Sequence, residues 1–355
     1  MKIFTVIGAR PQFIKAAVVS RAFIEHRTDV REILVHTGQH YDANMSDVFF
    51  DELNIPRPAH NLGVGGGTHG QNTGRMIEKL EELMLDEKPD WIMVYGDTDS
   101  TLAGALAAAK LHIPVAHIES GLRSFNRAMP EEINRVLTDH IADMVFAPTE
   151  LARTNLLNEG IADDKIHVVG DVMYDAALFY KPRVFKPAWF DKQGVAVNEF
   201  VLCTIHRAEN TDNRMRMQGI LQGLEDAALP VILPLHPRTR IKLQLMNLSL
   251  PINVKAVNPV GYLEMVWLEA NCQLIATDSG GVQKEAYFHK KPCVTLRNET
   301  EWEELVQQGY NVLVGANSEL IKKFILESAD YKFKEMVQKI YGNGDACKKI
   351  TSILV

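Results

Sequence analysis

Leu274-Ile275-Ala276-Thr277-Asp278-Ser279-Gly280-Gly281-Val282-Gln283-Lys284-Glu285 is the stretch on which the fold turns. An apolar run over 274–276 has the length of a buried strand, and a helical pattern covers 282–288. Between them lies a polar turn with two glycines. A strand that feeds a helix in this way is half of a βαβ unit, which implies a parallel sheet covered by helices. The turn also carries chemistry. Ser279, Gly280 and Gly281 can direct backbone N–H groups at a phosphate held at the positive end of the helix, and glycine avoids a Cβ clash there. A plain Ser-Gly-Gly turn is the bland alternative. Glu285, about a turn and a half beyond Ser279, would suit a sugar hydroxyl pair such as a ribose.

The same alternation extends outward from this point. In the second half, strands are expected over 200–205, 231–235, 254–257, 293–296 and 312–314. Helices are expected over 215–227, 262–270, 302–308 and from Ser318 onward. In the first half, strands are expected over 2–7, 33–37, 91–95, 115–118 and 144–147, with helices over 12–27, 46–53, 70–86, 100–110, 131–142 and 151–159. Pro182 and Pro187 interrupt the rhythm over 181–198. The expected architecture is α/β, with two Rossmann-like doubly wound parallel-sheet domains over 1–175 and 176–342. A helix over 343–355 is expected to pack back on the first. The natural ligand site of such a pair is the cleft between them. A length of 355 residues agrees, because single cores stop growing near ~250–300 residues.

Composition narrows the function. With 46% hydrophobic and 23% charged residues the chain is an ordinary globular protein, not a disordered or fibrous one. No apolar run approaches the ~18–20 residues of a membrane span, and the first eight residues are too short for a signal peptide, so a cytoplasmic location is expected. A net charge of −7 argues against capture of nucleic acid or an anionic membrane surface. The cysteines, Cys203, Cys272, Cys293 and Cys347, show no metal-ligand spacing and read as buried thiols. His36 and His40 are four apart, but Gly38 between them argues against a metal-binding helix.

Functional residues of open parallel sheets follow the carboxyl ends of the strands. After the first strand stands Gly8-Ala9-Arg10-Pro11-Gln12-Phe13-Ile14-Lys15. Arg10 and Lys15 flank a helix start there and suit an anion, although a solvated surface pair would look alike. Only one glycine of a dinucleotide fingerprint is present. Another strand leads into Gly96-Asp97-Thr98-Asp99-Ser100, where Asp97 can reach a cleft and Ser100 or Asp99 can cap the next helix. The next leads into Glu119-Ser120-Gly121-Leu122-Arg123, and Glu131 and Glu132 open a helix after Pro130. In the second half, His206-Arg207 and His236-Pro237-Arg238 hold strand-end positions.

Together these motifs resemble the non-hydrolysing UDP-N-acetylglucosamine 2-epimerases of bacterial surface-polysaccharide pathways. The resemblance runs from Gly8-Ala9-Arg10-Pro11 to Thr300-Glu301. It includes Thr37-Gly38-Gln39-His40, Gly96-Asp97-Thr98, Glu119-Ser120-Gly121-Leu122-Arg123, Pro130-Glu131-Glu132, Thr204-Ile205-His206-Arg207 and Asp278-Ser279-Gly280-Gly281. It implies a glycosyltransferase-B-like pair of domains, a UDP-sugar substrate, a homodimer, and no metal or nicotinamide cofactor. The implied chemistry eliminates UDP to leave a 2-acetamidoglucal and then adds UDP back with the other configuration at carbon 2. Asp97, Glu119 and Glu131 would form the acid/base group. His206 would stabilise the leaving diphosphate with Arg10 and the backbone of Ser279, Gly280 and Gly281. Lys15 and Arg207 would add charge, Glu285 would hold the ribose, Met265 would lie near the uracil, and Tyr262 would belong to the UDP site. Gln39, Glu132, Arg207 and His236 stand at positions compatible with a second, activating substrate molecule. Domain closure over the reactive glycal is expected.

Several positions depart from the family pattern. Ala9 and Gln12 replace Thr and Glu, Ala208 stands where an Arg commonly follows the His-Arg pair, and the loop between Leu122 and Pro130 is short. Met265 stands where an aromatic residue often lies. Trp302 replaces an Arg of Thr-Glu-Arg-Pro-Glu. These departures resemble the branch acting on UDP-2,3-diacetamido-2,3-dideoxyglucuronate, so the sugar stays open between that compound and UDP-N-acetylglucosamine. A glycosyltransferase, a hydrolysing epimerase and a UDP-sugar sensor without turnover are the competing readings.

Overall fold

The computed structural model describes residues 1–27, 29–39, 56–328 and 339–355. It divides into two compact units. The first runs to Phe179 and takes in residues 339–355; the second begins at Tyr180.

The described strands of the first unit are β1 (Lys2–Ile7), β2 (Arg31–His36), β3 (His60–Asn61), β4 (Trp91–Tyr95), β5 (Val115–Ile118), β6 (Met144–Ala147) and β7 (Ile166–Val168). They pair in parallel in the order β3-β2-β1-β4-β5-β6-β7. Their near-continuous apolar burial is what helices on both faces require: every residue of β5 is buried, as are the last five of β1. The helix Asp99–Lys110 is Ala-rich because it lies close on the sheet. A Cβ on Gly104 would stand 3.1 Å from Val94 and 3.3 Å from Val6. The helix His69–Glu87 opens on a capping box, in which Thr68 accepts from the Gln71 backbone. The C-terminal helix Ala346–Leu354 turns Ala346, Ile350 and Leu354 inward and packs on the helix Arg10–His26.

The second unit repeats the plan. Its described strands are β8 (Val201–Thr204), β9 (Val231–Pro234), β10 (Val254–Val257), β11 (Leu274–Thr277), β12 (Cys293–Thr295) and β13 (Asn311–Leu313), all parallel, in the order β10-β9-β8-β11-β12-β13. Each sheet reverses its strand order once, at β1/β4 and at β8/β11, and ligands of such sheets bind outside the strand ends at that point. The interrupted stretch at 181–198 holds two 3-10 turns. Phe190 from the second is buried edge-on against Trp267, with centroids 4.9 Å apart.

Most expected elements form within a residue or two of their expected ends. The short strands β3 and β7, and the helices Val172–Tyr180 and Pro237–Leu245, are additions. β3 and β7 are two and three residues long, too short for a period to show. Pro237–Leu245 is rich in charge, with a weak apolar face that hides the helix despite Pro237 at its start. Thr98, rather than Ser100 or Asp99, caps the helix after β4: its hydroxyl accepts from the Thr101 N–H. The expected helix over 46–53, His40 and residues 329–338 lie outside the described residues. No helix among the described residues is long and apolar enough to cross a membrane.

Candidate functional site

In the first sheet β1, β4 and β5 are neighbours, so the turns that follow them stand side by side. Gln12 joins two of them. Its amide oxygen accepts the N–H groups of Gly8 and Ala9 at 2.8 and 2.9 Å, and its Nε2 donates to the Tyr95 carbonyl at 2.8 Å. Gly8 itself could not carry a side chain, because a Cβ would lie 2.0 Å from the Thr37 hydroxyl oxygen.

Lys15 lies one helical turn beyond Gln12 and reaches the turn after β5. Its Nζ is 2.5 Å from Glu119 Oε1, and the two side chains are 9% and 8% exposed. Glu119 adopts φ +67°, a left-handed conformation that costs a non-glycine residue about 1–3 kcal/mol and persists only where its surroundings over-determine it. Gly96 is wedged beside this pair, also in the left-handed region at φ +63°. A Cβ there would stand 3.2 Å from Lys15 Nζ and 3.4 Å from Glu119 Oε1.

Asp97 follows Gly96. Its carboxylate receives Arg135 Nη2 at 2.5 Å, and its carbonyl receives the Asn134 amide at 3.0 Å. Asn134 and Arg135 lie on the helix Pro130–Ile141, which opens with Glu131 and Glu132. The two acids differ. Glu131 is half-buried and makes no hydrogen bond or ion pair among the described residues. Glu132 is buried; it accepts the N–H groups of Ser124 and Phe125, the Ser124 hydroxyl and Arg135 Nη1. It thereby shapes the loop before its own helix. Gln39 is also committed internally, accepting from the Ser100 N–H at 3.1 Å and hydroxyl at 2.7 Å. Arg10 begins the helix after Gly8, and its side chain is not among those described.

In the second unit Asp278 organises the ends of β8 and β11. It is fully buried and accepts the N–H groups of His206 and Arg207 and the Asn210 amide, with His206 Nδ1 at 3.2 Å. Burial alone would raise its pKa, but the hydrogen bond and charge of His206, with Asn210 and the Arg207 backbone, outweigh it and hold the carboxyl below its usual range. His206 is thus anchored through Nδ1 while its side chain remains 45% exposed.

The Ser-Gly-Gly turn needs one refinement. The Ser279 N–H already donates to Thr277 Oγ1 at 2.9 Å, and its hydroxyl caps the helix Gly280–Phe288. Among the described residues, the donors left open at the helix start are therefore the Gly280 and Gly281 N–H groups. Glu301 lies against this turn: a Cβ on Gly280 would meet its Oε1 at 2.2 Å. Arg297 at 2.8 Å and Arg207 at 3.8 Å flank the Glu301 carboxylate. Trp302 is buried; its indole N–H donates to the Gly280 carbonyl at 2.9 Å, and Lys284 Nζ lies 4.2 Å from its ring centroid. Where the family pattern has an Arg, this chain has a side chain that braces the helix start.

Further along the same helix, Glu285 is buried beside Glu269, whose pKa burial and the neighbouring Glu285 charge push well up. His289 lies 3.7 Å from Glu269 but is a neutral imidazole, brought down to about 4 chiefly by burial. Tyr262 is buried against Tyr180, edge to face at 5.5 Å, and Met265 is half-buried one turn further on. His236 caps the helix Pro237–Leu245. Among the described residues, no group of His, Cys, Asp and Glu has the geometry of a metal site.

Gln12, Asn134, Arg135, His117, Asp139 and Glu269 were not expected. His117 and Glu269 are polar residues inside apolar runs, the signal that could have marked them, whereas Asn134, Arg135 and Asp139 lie on a charged helix that offers no such signal. His117, for example, interrupts the run Val115-Ala116-His117-Ile118.

Two parallel sheets of one topology, with their polar chemistry gathered at the strand ends of each, define a GT-B-like α/β enzyme. The chain belongs to the UDP-N-acetylglucosamine 2-epimerase family, whose sequence model matches residues 22–355, and is accordingly an isomerase. It is 54% identical to the UDP-2,3-diacetamido-2,3-dideoxy-D-glucuronate 2-epimerase of Pseudomonas aeruginosa, over 100% of this chain and 99% of that one. The crystal structure of Methanocaldococcus jannaschii UDP-GlcNAc 2-epimerase in complex with UDP-GlcNAc and UDP matches with a TM-score of 0.93 at 45% identity, covering 100% and 99% of the two chains. The Neisseria meningitidis UDP-GlcNAc 2-epimerase bound to UDP-GlcNAc matches with a TM-score of 0.87 at 32% identity, covering 100% and 99%.

Proposed function

We propose that this epimerase inverts carbon 2 of a UDP-linked 2-acetamido sugar, UDP-N-acetylglucosamine to UDP-N-acetylmannosamine, by elimination and re-addition of UDP. The observation that carries the reading is the Lys15–Glu119 pair beside the Gly96–Asp97 turn. The carbon-2 proton is not adjacent to a carbonyl, so it leaves only as the carbon 1–oxygen bond to UDP breaks. The C–H electrons form the double bond of the glycal, a carboxylate takes the proton, and UDP departs with the bond pair. Reversal with protonation from the other face gives the epimer. Asp97, Glu119 and Glu131 are the groups for these proton transfers. Lys15 and Arg135 keep Glu119 and Asp97 beside positive charge.

The second unit supports the departing diphosphate. Its donors are His206, Arg207 and the Gly280 and Gly281 N–H groups, with Arg10 of the first unit assigned beside them, and preorganised donors of this kind stabilise developing charge without reorganisation. Asp278 holds His206 in place. Glu285, Tyr262 and Met265 are assigned to the nucleoside. A homodimer and a cytoplasmic location complete the reading. The four cysteines are buried and free, as fits a reducing compartment.

A second substrate, UDP-2,3-diacetamido-2,3-dideoxyglucuronate, is favoured by the 54% identity to the Pseudomonas aeruginosa enzyme and by Trp302 in place of the family Arg. Incubation with each sugar in D2O, read by proton NMR at carbons 1 and 2, separates the two. Epimerisation with deuterium at carbon 2 is expected. Transfer without deuterium, or free sugar released in step with UDP, would replace the reading with a transferase or a hydrolysing enzyme.

A further inference from the structure

His117 is fully buried in the middle of the first sheet, on β5, with both ring nitrogens engaged. Its Nε2 is 2.7 Å from the Gly96 carbonyl oxygen, and its Nδ1 is 2.6 Å from Asp139 Oδ1. A carbonyl oxygen can only accept, so Nε2 carries a proton. The other carboxylate oxygen, Asp139 Oδ2, accepts the Gly121 N–H at 3.1 Å and lies 2.8 Å from Arg123 Nη1. Arg123 also grips Glu159 through two bonds, at 2.6 and 2.7 Å. Burial would raise the Asp139 pKa, but the His117 and Arg123 charges and hydrogen bonds prevail and hold it low.

The ends of this network matter more than its burial. Gly96 precedes Asp97. Gly121 closes the turn that begins at Glu119. Asp139 lies on the helix Pro130–Ile141, which opens with Glu131. One imidazole–carboxylate pair therefore ties together the three segments that carry the three acid/base carboxylates. Two of those segments hold left-handed backbone, at Gly96 and Glu119, which external bonds must maintain. An aliphatic residue at 117 would satisfy the apolar pattern of β5 yet leave the Gly96 carbonyl buried without this partner.

We propose that His117 and Asp139 are positioning residues for the epimerisation, holding the Gly96–Asp97 turn, the Glu119–Gly121 turn and the Glu131 helix in one register. The inference rests on the assignment of Asp97, Glu119 and Glu131 as the proton-transfer group. It predicts a defect in turnover with little change in UDP affinity, because the second unit supplies most of the UDP donors.

The test uses the full chain carrying His117→Phe, His117→Asn or Asp139→Asn, with Glu119→Gln alongside. UDP affinity is measured by calorimetry, and kcat, KM and carbon-2 deuterium uptake by NMR. A carboxylate displaced by about an ångström loses roughly 100-fold in rate, so kcat should fall by about 10–100-fold in the His117 variants. Deuterium uptake should fall in step, with the UDP Kd within about threefold of the parent. Asp139→Asn retains the His117–Gly96 bond and should fall less. If His117→Phe fails to fold, His117→Asn and Asp139→Asn decide. A folded variant of either position whose kcat stays near the parent value, while Glu119→Gln is inactive, overturns the inference. Normal turnover by Glu119→Gln would instead overturn the acid/base assignment beneath it.

Discussion

Replacing Lys15 with Met removes an ammonium while keeping a chain of similar length, and the structure fixes what should follow. Lys15 Nζ is 2.5 Å from Glu119, and both side chains are more than nine-tenths buried. Removing one partner of a buried pair typically costs about 3–5 kcal/mol, because the other charge is left without compensation. For a unit of this size each kcal/mol lowers Tm by about 2–4 °C, so Lys15→Met should melt roughly 6–20 °C below the parent. Glu119 can escape the penalty only by taking up a proton. That disables it as a base at neutral pH, so turnover should fall with stability. The double variant Lys15→Met/Glu119→Gln separates the two effects: with no carboxylate left to strand, most of the lost Tm should return while activity stays absent. Scanning calorimetry gives the first readout and NMR the second. A Lys15→Met protein melting within about 2 °C of the parent would refute the reasoning. So would a double variant no more stable than the single one.

The other predictions concern single sites. Glu131→Gln should lower kcat by about 100-fold or more while UDP still binds, because its half-buried carboxylate has no structural partner among the described residues to lose; near-parental turnover would remove it from the mechanism. Asp278→Asn should weaken both UDP binding and turnover, since it presents an amide N–H₂ to donors that now converge on a carboxylate; calorimetric titration with UDP measures the first effect. Glu269 has a raised pKa in the folded chain, so its favourable contribution is complete below its ordinary value of 4.5 and is lost as pH rises through the folded value. Glu269→Gln should therefore gain Tm relative to the parent as pH is raised from 5 to about 8; a Tm difference independent of pH would contradict the assignment.

Much of the candidate site could be read from the sequence because parallel α/β sheets gather polar residues in the turns after their strands. Gly96-Asp97, Glu119, His206 and Asp278-Ser279-Gly280-Gly281 each follow an apolar run that proved to be a strand. The partners were harder to find. Arg135 reads as one more charge on an amphipathic helix, and Gln12 reads as a departure from the family pattern. Only their bonds to Asp97 and to the Gly8 and Tyr95 backbone give them a purpose. Trp302 showed the same limit. Its identity was plain, but its burial against Gly280 and Lys284 was not.

The sequence by itself determined the strand and helix pattern, two sheets' worth of parallel strands, and the turns where chemistry could sit. Those features depend on residues within a few positions of one another, on period, caps and glycine turns. Only the tertiary structure decided which charges meet. Lys15 and Glu119 are 104 residues apart, Asp97 and Arg135 are 38, and His117 and Asp139 are 22. Their contact follows from the strand order β1-β4-β5 and from the packing of the helix Pro130–Ile141 against β5 and the helix Asp99–Lys110. Strand order is set by the packing of the whole sheet, which no local run of residues encodes. The same packing supplies the burial that makes each pairing matter.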